Sequence, residues 1–358
     1  MSDRHLVGLY HRLRYYLDVP TLRLLLRFRE PREQFYADLW RTAAQGIGAE
    51  FTPWRFGYFR IRRDGMTTMI NLSRVMLDDH LTLNIMGNKV LTYDLLAERG
   101  FRTPRFCAYT LATLDAAQAF MVRSNGPVVV KPAAGTGGGR GITTGISSVG
   151  ALRQASRLAA RHGETLIVEE QVAGDSYRLL YLDGRFLDAV RRDPPTVAGD
   201  GRHTIRQLIR LENRRRLAQR PFTSLSPLLV DRDSRNWLEA HGLSPRSRPA
   251  MGDTVVVKRA VNQNCARENH NVRELVHPQL IEDGGRLVTA LGVRLAGVDL
   301  ICSDITAPLS QSGGCFNEVN TTPGLHHHYL IAQPEKGVPV AELLLEHLFT
   351  TRQGVMTV

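Results

Sequence analysis

The sequence predicts an α+β protein, and three observations predict it. A run of three valines, Val128-Val129-Val130, reads as a buried strand; Lys131 and Pro132 follow, then five glycines within 135–141, and residues 142–146 alternate like a second strand. Two further apolar runs, 177–182 and 185–192, are joined by Asp183-Gly184, a strong two-residue hairpin signal. Between these hairpins lie stretches with helical period: 90–99, stopped by Gly100, and a helix capped by Ser148 whose Leu152, Ala155, Leu158 and Ala159 share one face.

In chain order, the pattern is helical from 1 to about 48, with Leu6, Leu9, Leu13 and Tyr16 at three- and four-residue spacing and Pro20 and Pro31 as punctuation. Arg4, Arg12, Arg14, Arg23, Arg27 and Arg29 share these helices with aromatic residues. A solvated basic face explains this, with a membrane-surface or RNA-contacting face as the alternative. Residues 54–61 read as a strand that turns at Arg63-Asp64-Gly65 into a return strand over 66–70. A strand after Pro104, a short helix over 114–123 and a core strand over 165–172 complete the first half. Helices over 204–216 and 235–241, a strand over 254–259 and a polar loop over 262–271 follow the Asp183-Gly184 hairpin. Strands over 298–301 and 314–320 and a last helix over 340–349 close the chain.

Composition narrows the function. At 358 residues with 43% hydrophobic and 23% charged residues the chain is ordinary globular material with room for two or three cores. No apolar run approaches the ~20 residues of a membrane span. The four cysteines form no CxxC pair and Met1–His5 show no charged-then-apolar leader, so a reducing cytoplasm is expected. A formal charge of +11 is spread along the chain, which argues against nucleic acid and for small anions. Only Lys89, Lys131, Lys258 and Lys336 depart from an otherwise arginine-based cationic set, marking places where a compact point charge is wanted.

Two centres of chemistry stand out. Backbone N–H groups of the glycine loop, with Lys131 at its edge, make a seat for phosphate. No Gly-Lys-Ser/Thr ending opens a helix there, and no GxGxxG register fits around Arg140, so neither a P-loop nor a dinucleotide fingerprint applies. Lys89 at a helix start is unfavourable for the helix dipole and is a candidate to hold an anion. Arg178 and Arg192, at opposite ends of their hairpin, could face one ligand. In the last quarter Asp299 lies within an apolar strand, and Glu318 and Asn320 share a face by period two. Three oxygen donors on two strands suit Mg²⁺; the alternative is an Asp299 satisfied by a neighbouring arginine or by backbone. The run His326-His327-His328 does not place adjacent side chains on one face, so a packed or pocket-lining histidine is expected rather than zinc.

Taken in order, Asn88-Lys89, the Val-Val-Val-Lys131-Pro strand with its glycine loop, Val168-Glu169-Glu170, Tyr177-Arg178-Leu179-Leu180, Gly199-Asp200-Gly201, Ala296-Gly297-Val298-Asp299 and Glu318-Val319-Asn320-Thr321-Thr322-Pro323-Gly324 resemble the ATP-grasp ligases, in particular the ATP-grasp region of cyanophycin synthetases. The resemblance covers roughly 77–330. It implies an ATP-grasp fold, two α+β subdomains sandwiching the nucleotide, here with an additional helical/β N-terminal domain. The corresponding units are 1–84, 85–175 with the glycine lid, 176–335 with the metal and substrate site, and a C-terminal helix and tail over 336–358.

The resemblance also implies ATP on Lys89, Lys131 and Gly135, Gly137, Gly138 and Gly139, with adenine and ribose at Glu169, Glu170, Val172 and Asp175. Which of the three carboxylates holds the ribose stays open. Asp299, Glu318 and Asn320 would hold two Mg²⁺ ions, with Mn²⁺ as a substitute. Arg178 and Arg192 match family arginines near the γ-phosphate and acyl phosphate, and Asn262 matches a family asparagine counted with them among the catalytic residues. The implied activity is an ATP-dependent carboxylate–amine ligase joining amino acids or small peptides, in the cytoplasm and as a homo-oligomer or alone. Cys265-Ala266-Arg267-Glu268 replaces the small glycine-containing loop of cyanophycin synthetases, so cyanophycin synthesis itself is not expected. The alternatives are a dipeptide ligase of the D-alanine-D-alanine type and an ATP-binding or membrane-associated module without catalysis.

Overall fold

The computed structural model describes residues 19–135 and 139–357. The expected helical stretch before Val19, including Arg4, Arg12 and Arg14, lies outside them.

Helices Val19–Arg27 and Arg29–Gly46 lead into an antiparallel sheet of β1 (Glu50–Pro53), β2 (Phe59–Arg63), β3 (Met66–Ile70) and the terminal strand Met356–Thr357. The turn at Asp64-Gly65 and the return strand follow the sequence pattern, but the continuous strand expected over 54–61 is broken. Phe56 and Gly57 both take positive φ, making a tight turn at Arg55–Gly57 that the run of aromatic residues concealed. Helix Val340–Thr351 lays Val340, Leu344 and Leu348 against Tyr36, Trp40 and Ile61, so the end of the chain completes the core of its beginning. Trp40 is fully buried and its indole N–H donates to the Leu72 carbonyl at 2.7 Å.

The second sheet contains β4 (Phe106–Tyr109), β5 (Val128–Pro132), β6 (Thr143–Ile146) and β7 (Leu166–Glu170) in the order β4-β7-β5-β6, all antiparallel. Alternation decides what each face carries. Val128 and Val130 of β5 and Leu166 and Val168 of β7 pack with helices Leu114–Arg123 and Val149–Ala159. Lys131 and Glu169, one residue on along each strand, therefore project from the opposite face.

The third sheet is formed by β8 (Asp175–Leu182), β9 (Arg185–Arg192), β12 (Asn269–Asn271), β13 (Leu295–Cys302) and β14 (Cys315–Asn320), ordered β12-β9-β8-β13-β14. Tyr177, Leu179 and Tyr181 of β8 and Ala296, Val298 and Leu300 of β13 pack with helix Pro278–Ala290, leaving Arg178 and Asp299 on the other face. The loop expected over 262–271 ends in strand: Asn269–Asn271 pairs with β9 although its sequence has no apolar alternation, because Asn269 reaches into the core and donates to the Leu330 carbonyl. Between β9 and β12 a smaller unit, β10 (Thr196–Ala198) and β11 (Thr254–Val256) with helices Ile205–Ala218 and Arg232–Ala240, has its own core of Val197, Ile205, Leu228, Leu238 and Val257. No helix among the described residues is long and apolar enough to cross a membrane.

Replacing Trp40 by Ala should lower the unfolding free energy by about 3–5 kcal/mol, through the cavity left in this core. Urea unfolding followed by circular dichroism checks it, and a loss under about 1 kcal/mol would mean the two ends of the chain do not share a core.

Candidate functional site

One helix, Lys89–Glu98, joins the second and third sheets. Asn88 caps it, its side chain accepting from Val90 N–H at 3.1 Å, and the first turn is tied to the end of β5 by a bond from Lys89 N–H to the Ala133 carbonyl at 2.8 Å. From this start Lys89 Nζ reaches Glu318 Oε1 of β14 at 2.9 Å. One turn later, on the same helix face, the buried Tyr93 hydroxyl lies 2.9 Å from Lys131 Nζ, 3.0 Å from Glu169 Oε2 and 2.8 Å from the Asn317 carbonyl. It accepts from the lysine and shares its proton between the two oxygens. Burial, then the Glu169 charge, pushes this phenol well above its ordinary value, so it stays protonated. Asn317 is free to meet it because β14 bulges there: Asp299 faces Glu318, but Leu300 faces Phe316, skipping one residue.

The register then sets a row of charge across the third sheet. Arg178 of β8 faces Asp299 of β13, which faces Glu318 of β14. The Arg178 guanidinium forks onto both Asp299 oxygens, with Nη2 3.0 Å from Oδ2, and Arg192 Nη2 lies 3.2 Å from Oδ1. Burial raises the Asp299 carboxyl, but the two guanidiniums outweigh it and hold it below the usual range. Glu318 is likewise lowered, Lys89 prevailing over burial, with Lys131 contributing. Lys131 in turn pairs with Glu169 at 2.8 Å. Gly297, two residues before Asp299 and so on the same face, is required by packing: a Cβ there would lie 2.8 Å from Pro323 and 2.9 Å from Arg178 Cδ. The structure thus brings Lys89, Lys131, Glu169, Arg178, Arg192, Asp299 and Glu318 into one connected network. Asn320 lies opposite Gly297 and donates to its carbonyl at 3.3 Å.

Around this centre the other expected residues separate. Glu170 sits on the opposite pleat from Glu169 and pairs with Arg105 at 2.9 Å. Val172 and Asp175 flank the turn into β8, Asp175 being exposed. Gly137 and Gly138 lie outside the described residues. Gly135 and Gly139 have φ of +76° and +65°. A Cβ at Gly139 would collide with Asn262, whose Nδ2 donates to the Gly139 carbonyl at 3.0 Å. A second tie was not foreseen. Buried Asp233, on helix Arg232–Ala240, accepts from Thr144 N–H at 2.9 Å, Thr144 Oγ1 at 2.6 Å and Ala260 N–H at 3.0 Å, pinning β6 to the smaller unit.

Against this geometry the chain was compared with known proteins. It is 28% identical over 343 residues to cyanophycin synthetase of Trichormus variabilis, spanning 88% of this chain and 36% of that protein. It is 26% identical over 276 residues to the glutathione biosynthesis bifunctional protein of Clostridium perfringens, spanning 76% and 35%. The crystal structure of a bifunctional glutathione synthetase from Pasteurella multocida matches with a TM-score of 0.52 at 21% identity, over 85% of this chain and 42% of that one. The chain has the ATP-grasp fold and is similar in sequence to the cyanophycin synthetases. It spans little more than a third of the curated relatives it matches. No family model matches it.

In this ATP-grasp site the donor set can be tested for magnesium. Among the described residues no group of three or more His, Cys, Asp or Glu could hold a metal. The candidates are two carboxylates and the amide oxygen of Asn320, hard oxygen donors suited to Mg²⁺ when phosphate and water complete the shell. Asp299 matches the arginine-satisfied alternative, since both its oxygens accept from guanidinium, and it retains lone pairs for an ion. The donor chemistry fits. The histidines are divided: His328 is buried with Nδ1 2.7 Å from Asp188, His326 Nδ1 lies 3.0 Å from the Tyr36 hydroxyl, and His327 stacks on His326. Burial holds His326 and His327 well below their ordinary values, leaving them neutral.

Two outcomes follow from this geometry. Since the folded Glu318 carboxyl titrates below its unfolded value of about 4.3, its stabilisation is complete above that pH and is lost as pH falls through the folded value. Unfolding free energies measured from about pH 6 down to pH 3 should therefore show a shallower acid decline in Glu318→Gln than in the parent; an identical slope would remove the Lys89 pair. Asp233→Asn should speed tryptic cleavage after Arg140 relative to cleavage elsewhere, and an unchanged pattern would mean that Asp233 does not hold the hairpin.

Proposed function

We propose that this chain is an ATP-dependent carboxylate–amine ligase, forming a peptide-like amide through an acyl phosphate, with amino acids or a small peptide as substrates. The observation that carries the reading is the helix Lys89–Glu98, which brings the lysine beside the glycine hairpin and the carboxylates of β13 and β14 into one network. In the proposed cycle Lys89 and Lys131 leave their carboxylate partners for the nucleotide phosphates, as compact charges suited to that exchange. Gly135, Gly137, Gly138 and Gly139 cover the phosphates, while Glu169, Glu170, Val172 and Asp175 border the adenosine. Arg178 and Arg192 hold the substrate carboxylate as it accepts the phosphoryl group, and Asn262 keeps the glycine loop seated, excluding water from the acyl phosphate. Mg²⁺ held by Asp299, Glu318 and Asn320 would neutralise charge on the transferring phosphoryl group. Relatives named cyanophycin synthetase and glutathione biosynthesis proteins support this chemistry.

One feature favours a second reading, ATP binding without ligation: Asp299 is already satisfied by two arginines. Incubation with ATP, Mg²⁺ and amino-acid pools separates the two. Amine-dependent ADP release with a new amide mass supports the ligase; tight nucleotide binding with no product under any pool supports the binding module. Under the ligase reading any Asp299→Ala protein that remains folded, checked by circular dichroism, has turnover lowered on the order of 10² or more. Turnover at the parent rate would remove Asp299 from the chemistry.

A further inference from the structure

A cavity of about 360 Å³ opens between residues 74–89 and the end of β14, and no step above uses its outer part. Its two cations and two carboxylates balance in number but are not matched in pairs. Lys89 and Glu318 pair at its inner edge at 2.9 Å. Asp78 is turned to structural use, accepting from the backbone N–H groups of Arg294 and Leu295 at 2.7 and 3.2 Å. Arg74, at the other wall, meets only the Asn71 side chain, at 3.3 Å, and no acid among the described residues. Leu83 and Met86 give the cavity an apolar wall, and Thr322 adds a hydroxyl.

The position of Arg74 is built rather than incidental. Asn71 and Arg74 exchange backbone bonds of 3.1 and 2.9 Å across a tight turn in which Leu72 takes φ +55°. The turn is clamped by the Trp40 indole on the Leu72 carbonyl at 2.7 Å and by Asn71 Nδ2 on the Gly57 carbonyl at 2.9 Å. A non-glycine residue held in the left-handed region costs free energy and persists where its surroundings enforce it. Arg74 also precedes the stretch, 77–330, that carries the ATP-grasp resemblance.

We propose that this cavity seats the amine substrate and that Arg74 binds the carboxylate this substrate keeps. The ligand class is an α-amino acid with its carboxylate on Arg74, an apolar portion against Leu83 and Met86, and its amino group toward the Lys89–Glu318 edge. The assignment of this ligand as the amine substrate rests on the ligase reading, whereas binding itself is tested without turnover. Melting temperatures of the full chain, with Mg²⁺ and a non-hydrolysable ATP analogue present, are measured with each of the common L-amino acids and with its α-carboxamide.

At least one amino acid should raise the melting temperature, its carboxamide should not, and Arg74→Gln should abolish the rise while keeping the shift given by the nucleotide. In ligation, the variant's KM for that amino acid should rise at least about tenfold, as expected for one lost charge-assisted contact, with the KM for ATP unchanged. Arg74→Lys should recover part of the affinity. The variant removes an exposed side chain and leaves the turn's backbone bonds in place, so folding is not at issue. No shift with any amino acid, equal shifts by acid and carboxamide, or an intact response in Arg74→Gln would each overturn the proposal. A raised KM for ATP would instead make Arg74 a phosphate ligand and overturn it too. A shift in the parent with no turnover would sustain the binding site and sink the ligase reading.

Discussion

The structure depends on two carboxylates that face each other across adjacent strands, Asp299 and Glu318, each held by cations of its own: Arg178 and Arg192 on Asp299, Lys89 on Glu318. Asp299 is 6% exposed, where an unpaired carboxylate would cost several kcal/mol, so its guanidinium partners are a condition of folding. Without a ligand the four cations of the cleft already face three carboxylates of its own, which leaves one formal positive charge. An anionic substrate would therefore enter by exchange, displacing carboxylates from lysines, rather than by filling a bare cationic pocket. That makes the choice of lysine at positions 89 and 131 intelligible: a point charge on a flexible stem can change partners, whereas the forked Arg178 stays with Asp299.

The same charges hold the units of the molecule together. Tyr93 is the common partner of Lys131 and Glu169 in one sheet and of the bulged Asn317 in the other. Asp233 and Asn262 bind the glycine hairpin to the smaller unit inserted between β9 and β12. Both junctions use buried polar groups with every contact directional, so they fix relative position in a way that apolar packing alone does not. The N-terminal sheet and the terminal helix add a third wall, and the clamped turn at Asn71–Arg74 brings that wall to the end of β14.

Much of this was legible in the sequence because period two and hairpin chemistry are local. The Asp183-Gly184 turn, the buried strand that carries Lys131 and the shared face of Glu318 and Asn320 need only short windows. What the sequence did not disclose is set by distant contacts. Tyr93 lies four residues after Lys89 and so on its helix face, a signal that was present, but its partners are 38, 76 and 224 residues away. Asp233 lies before the helix expected over 235–241 and carries no local signal, and its partner Thr144 is 89 residues distant. The strand β12 and the turn at Phe56 were missed for a different reason, since asparagines and aromatic residues there act against their usual propensities.

The central claim is that the glycine-hairpin lysine and the β14 carboxylate serve one nucleotide site. Its most direct measurement is Mn²⁺ binding by electron paramagnetic resonance, with and without a non-hydrolysable ATP analogue, in the parent, Lys131→Met and Glu318→Gln proteins. One shared site predicts Mn²⁺ binding strengthened by nucleotide in the parent and weakened in both variants. Mn²⁺ binding indifferent to nucleotide, or lost in Glu318→Gln but untouched in Lys131→Met, would contradict it.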